Sequence, residues 1–162
     1  MRRIPPPDLD AYLETTRRTC FVCEVASGRD TRHAVVYADD LAIAFLNRFP
    51  TLYGHVIVAP REHREQVTGD FSEDEYVALQ RVVHRVGEAV RRAVPTERLY
   101  VLSLGSQQGN RHAHWHVAPL PAGVPFERQQ LAALSWDDGV IELSPKEQEE
   151  LAERIRAALR AG

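Results

Sequence analysis

Long apolar runs are missing from this chain of 162 residues: stretches such as Val56 to Pro60 are far too short to span a bilayer. Excess charge of one sign is missing too. Lys and Arg total 20 against 23 Asp and Glu, a net charge of -3, so no broad positive field exists to hold nucleic acid in bulk. A local pocket for a small anion stays open. Cysteine is scarce, and the two present, Cys20 and Cys23, stand too close to staple a long loop, as expected in a reducing compartment. The basic opening from Met1 to Pro7 has no apolar core of the signal-peptide kind, so a cytoplasmic location is expected. Repeats, low-complexity tracts and shifts of composition are also absent, which leads to the expectation of a single domain over residues 1–162.

What is present reads as alternating short strands and capped helices. Pro5 to Pro7 form a stiff lead-in, and Asp8 is placed to cap a helix running to about Arg18. After the cysteines, residues 26–32 read as a polar loop. His33 to Ala38 and Leu41 to Asn47 read as strands joined at Asp39-Asp40, and Gly54 to Ala59 as a third strand ended by Pro60. Ser72 and Glu75 form a capping box ahead of Leu79, Val83, Val86, Val90 and Val94 at helical spacing, and Pro95 stops that helix. Arg98 to Leu104 and His112 to Pro119 complete the strands. Ser144-Pro145-Lys146-Glu147 opens a second strong helix. The expected class is α+β: an antiparallel sheet with helices packed on it.

The run His112-Ala113-His114-Trp115-His116 carries the chemistry. On a strand the three imidazoles share one face, and Ala113, Trp115 and Val117 share the opposite, core-facing one. Two chemistries want such a row. One is metal ligation; the other is nucleophilic attack by one imidazole, with its neighbours orienting it and serving the leaving group. Alternate residues on a strand stand roughly 7 Å apart, which strains three imidazoles that share one catalytic metal. Neutral imidazole persists near pH 7, which suits attack on phosphorus. The polar loop just ahead, with Gln107, Gln108 and Asn110, is placed to hold phosphate oxygens. For Cys20 and Cys23, a redox pair, a zinc half-site and two unrelated thiols all fit the spacing.

Taken together, Leu46-Asn47, the segment from Gly54 to Pro60, His63 and the run from His112 to Ala118 resemble the histidine triad (HIT) superfamily of nucleotide hydrolases and transferases over about residues 20–120. The resemblance implies a HIT-like fold with helical extensions at both ends. It implies cleavage at the α-phosphate of a dinucleoside polyphosphate or a nucleoside phosphoramidate-like compound, through a covalent nucleotidyl-histidine. By the same resemblance His114 is the nucleophile, His116 serves the scissile phosphate and leaving group, His55 lies near the phosphate and Asn47 binds the ribose. Ser103 stands where relatives often carry Asn, in the nucleotide-binding set with Gln107, Gln108 and Asn110. A zinc-containing branch implies a structural zinc on Cys20, Cys23, His63 and His112, closed to further ligands. Relatives that dimerise imply a homodimer. A metal-dependent hydrolase using the whole row, or a nucleotide-binding module without turnover, are the alternatives.

Overall fold

The computed structural model describes residues 1–162. In chain order the elements are β1 (Arg3–Ile4), α1 (Leu9–Arg18), α2 (Phe21–Ala26), β2 (Val35–Ala38), β3 (Ala42–Leu46), β4 (Val56–Pro60), α3 (Glu73–Ala93), β5 (Arg98–Leu102), β6 (Trp115–Leu120), α4 (Leu131–Leu134), β7 (Val140–Ile141) and α5 (Pro145–Ala161). Five strands form an antiparallel sheet in the order β2-β3-β4-β6-β5, and β1 pairs with β7 apart from it. The architecture is α+β. No helix is long and apolar enough to cross a membrane.

β3 and β4 are buried at every position, and their unbroken apolar runs follow from a sheet covered on both faces. On one face Ala44, Leu46, Val56, Val58, Trp115 and Val117 meet Leu79, Val83, Val86 and Val90 of α3 and Leu151 and Ile155 of α5. Both helices start in the expected capping boxes, Ser72 with Glu75 and Ser144 with Glu147, which satisfy otherwise orphaned amides. On the other face Ile43, Phe45, Ile57 and Ala59 meet Val22 and Val25 of α2. That second face carries the site.

Several boundaries differ from the sequence reading. β6 begins at Trp115 rather than His112, because Ala113 N–H donates to the Arg64 carbonyl at 2.6 Å and leaves the sheet ladder. β5 ends at Leu102, and the Ser103 hydroxyl donates to the His114 carbonyl at 2.6 Å. Cys20 caps a short helix, α2, which takes in Ala26, so the loop expected over residues 26–32 begins at Ser27. The alternation across the histidine run survives all the same: Ala113, Trp115 and Val117 enter the α3-side core.

Candidate active site

The register of the sheet sets the first functional side chain. His116 pairs with Ile57 on β4 and Leu102 on β5, so its ring rises from the face away from α3. His55 precedes β4 after Gly54, whose φ of +87° favours glycine. A Cβ there would also stand 3.0 Å from Val94 Cγ2, so the turn that delivers His55 lies tight against the end of α3. Asn47 follows β3.

The hydrogen bonds among these residues fix the imidazole tautomers. Phe49 N–H donates to Asn47 Oδ1 at 3.0 Å, so the Asn47 amide nitrogen is the group facing His55 Nδ1 at 3.3 Å. His55 Nδ1 therefore accepts, and its Nε2–H donates to His116 Nδ1 at 3.0 Å. The hydrogen of neutral His116 is left on Nε2. His114 lies 2.6 Å through Nδ1 from the His112 carbonyl, which can only accept, so its Nε2 bears the lone pair. Its ring stands 5.0 Å, centroid to centroid, from that of His116.

Burial holds these rings neutral. It pushes His55 down to about 3, with help from the neighbouring His116 and His114, and His116 down to about 4, with help from His114. It lowers His114 as well, against the opposing pull of the His112 carbonyl. An unfolded histidine titrates near 6.5, so below that pH the unfolded chain takes up protons the native fold refuses. Stability is therefore expected to be fully present above about pH 6.5 and to decline as pH falls toward 4. Imidazole NMR should show His55 and His116 still neutral at pH 5; midpoints near 6.5 would contradict the buried relay.

His112 turns the other way. Its Nε2–H donates to the Pro60 carbonyl at 2.9 Å, so Nδ1 presents a lone pair 3.4 Å from Cys20 Sγ and 3.6 Å from Cys23 Sγ. His63 Nδ1 lies 3.4 Å from Cys23 Sγ, and its Nε2 lies 3.2 Å from Glu65, the carboxylate partner that metal-binding histidines usually have. All four donor atoms fall within 4.8 Å of one another. Tetrahedral zinc bonds put sulfur and nitrogen ligands roughly 3.6 Å apart, so the set fits that ion. Burial, and then the neighbouring Cys20, push the Cys23 thiol up to about 12, a cost that a bound divalent cation would reverse.

A cavity of about 580 Å³ opens above the row, within the range of sites for small organic ligands. Asn47, His55, Asn110, His114 and His116 line it, whereas Ser103, Gln107 and Gln108 do not. Gln107 and Gln108 sit exposed in a turn, and the Gln108 carbonyl accepts from Arg17. Asn110, at a φ of +57° that asparagine tolerates, donates through Nδ2 to the Tyr12 hydroxyl at 2.7 Å.

The cavity holds residues that the sequence did not single out. Phe21, His33 and Phe45 form an aromatic group at one end, with Phe21 5.6 Å from the His114 ring. His33, just ahead of β2, thus lies in the cavity wall. Helix α1 and its caps form the roof, where Asp8, Tyr12, Thr15 and Thr19 line the cavity. The i, i+4 spacing of Asp8, Tyr12 and Thr16, together with Thr15 and Thr19, was a readable signal of one helix face.

An antiparallel sheet that lifts alternating histidines into a cavity, beside a Cys2His2 cluster, defines a protein of the histidine-triad class. The chain belongs to the HIT family: the HIT domain matches residues 29–122. An uncharacterised HIT-like protein of Saccharolobus solfataricus is 34% identical over 103 residues, which cover 62% of this chain and 73% of that one. An adenosine 5'-monophosphoramidase of Schizosaccharomyces pombe is 25% identical over 145 residues, 88% of this chain and 99% of its own. Among solved structures, a hypothetical histidine triad nucleotide-binding protein from Sulfolobus tokodaii superposes with a TM-score of 0.71 at 25% identity, covering 88% of this chain and 93% of that one. A zinc-bound histidine triad family protein from Mycobacterium smegmatis has the same fold, with a TM-score of 0.67 at 23% identity and coverage of 89% and 95%.

Proposed function

We propose that this protein is a nucleotidyl hydrolase or transferase that cleaves at the α-phosphate of a dinucleoside polyphosphate or nucleoside phosphoramidate-like substrate. The observation that carries this reading is the divided bonding of the three imidazoles. His114 offers a Nε2 lone pair, His116 offers a Nε2–H, and His112 faces the cysteines. His114 Nε2 attacks the α-phosphorus, a P–N bond forms, and the bond to the leaving group breaks with its electron pair leaving on that group. His116 Nε2–H donates a hydrogen bond to the departing atom. Water, or another hydroxyl acceptor in the transferase case, then attacks phosphorus and gives up its proton to solvent or to the departed group, while the P–N bond breaks and its electron pair returns to Nε2.

Asn47 binds the ribose and, through His55, keeps His116 in its donor tautomer. The ring group of Phe21, His33 and Phe45 takes the base. Ser103 acts through the His114 carbonyl, and Asn110 through Tyr12, so both position other groups. Cys20, Cys23, His63 and His112 would hold a zinc ion as a structural clamp, which would steady the segment whose His112 carbonyl orients His114. A metal shared by the whole row is disfavoured, because His112 points its free nitrogen away from His114. A cytoplasmic homodimer belongs to the same reading: β5 is a free sheet edge, and Val101 on it is exposed. The test is release of a nucleoside monophosphate from a panel of dinucleoside polyphosphates and adenosine phosphoramidate. AMP or GMP binding with no turnover on any of them would favour the binding-module reading instead.

A further inference from the structure

Two aromatic groups line the cavity, and only one of them is absorbed by the proposed chemistry. The ring group of Phe21, His33 and Phe45 abuts His114. A second corner is built by Tyr12 from α1, Phe49 after β3 and Trp136 ahead of β7, with centroids 5.9, 5.5 and 6.0 Å apart and the rings steeply inclined to each other. No ring of one group contacts a ring of the other. Phe49 is tied to the triad through Asn47, His55 and His116, so the corner stands on the His116 side of the row.

This corner is deliberately braced. The ladder of β1 with β7 fastens both segments that carry Tyr12 and Trp136. Asn110 holds the Tyr12 hydroxyl. Gly109 lets α1 lie close, since a Cβ there would stand 2.6 Å from Thr16 Oγ1. Beside the corner lies a free cation. Of the two arginines lining the cavity, Arg32 is forked onto Asp30, whereas Arg48 makes no hydrogen bond or ion pair and rests its guanidinium 5.1 Å above the Phe49 ring. A guanidinium with all its donors free, seated on an aromatic face, suits phosphate oxygens.

We propose that Arg48 and the corner of Tyr12, Phe49 and Trp136 form a leaving-group subsite for a second nucleotide, Arg48 taking phosphates beyond the scissile one and the rings taking the second base. The substrate class is then the dinucleoside polyphosphates rather than the phosphoramidates, whose leaving group carries neither feature. This inference rests on the nucleotidyl-transfer reading of the site.

Binding to the full-length His114→Asn variant separates the two, because it needs no turnover. Calorimetry with diadenosine tetraphosphate, ATP and AMP is the measurement. Diadenosine tetraphosphate should bind at least about ten-fold more tightly than AMP, as base stacking and phosphate pairing are each of that size. Adding Trp136→Leu should weaken diadenosine tetraphosphate alone. Adding Arg48→Gln, an exposed change that spares the fold, should weaken ATP and diadenosine tetraphosphate together. A ratio that neither change moves, or an equal fall in AMP affinity, would overturn the subsite. If the ratio behaves as stated while the wild-type chain turns over no nucleotide, the subsite stands and the nucleotidyl-transfer reading falls.

Discussion

His114→Asn is expected to lower turnover by on the order of 10⁴-fold or more while the protein stays folded. The expectation follows from what the ring does and does not support. His114 is 3% exposed, yet its one strong bond is from Nδ1 to the His112 carbonyl. Asparagine offers an amide donor for that carbonyl and removes the ring nitrogen that faces the cavity. The loss should therefore fall on the chemical step and leave nucleotide affinity largely in place. Rates of monophosphate release, with AMP binding and near-ultraviolet circular dichroism as controls, check it. Full activity in this variant would sink the assignment of His114 as nucleophile.

Loss of the proposed zinc is expected to have the second large effect, and on stability first. Cys20 and Cys23 come from the start of α2, His63 from the turn after β4 and His112 from the approach to β6, so one ion would tie three segments of chain together. Elemental analysis should find one zinc per chain, absent from Cys23→Ser. That variant, or the chelated protein, should melt about 10 °C lower or more, as a loss of several kcal/mol does in a chain of this size. Turnover should fall with it, because the His112 carbonyl that orients His114 loses its anchor. A metal that survives Cys20→Ser and Cys23→Ser would instead place it on the histidine row.

The layered fold was legible because its signals are local. The capping boxes at Ser72 and Ser144 mark their helices, and the apolar runs of β3 and β4 mark strands covered on both faces. The alternation from His112 to Val117 divides site from core even though the strand starts only at Trp115. What stayed hidden depends on long-range contact. Nothing near Asn110 in sequence says that its amide will meet Tyr12, 98 residues away. Gln107 and Gln108 look like phosphate ligands because they precede the triad, but their turn lies outside the cavity. The pairing of β1 with β7, two residues each, is too short to leave a pattern, and it is what fastens the N-terminal segment that leads into α1 to residues 140–141, just after Trp136.

The stereochemical course at phosphorus tests the account most directly. A dinucleoside polyphosphate carrying a chiral phosphorothioate at the attacked phosphorus, hydrolysed in ¹⁸O-water, reports the number of displacements. Attack by His114 inverts the centre and attack by water inverts it again, so the account predicts net retention. Net inversion would mean that water attacks directly, and would contradict a covalent nucleotidyl-His114.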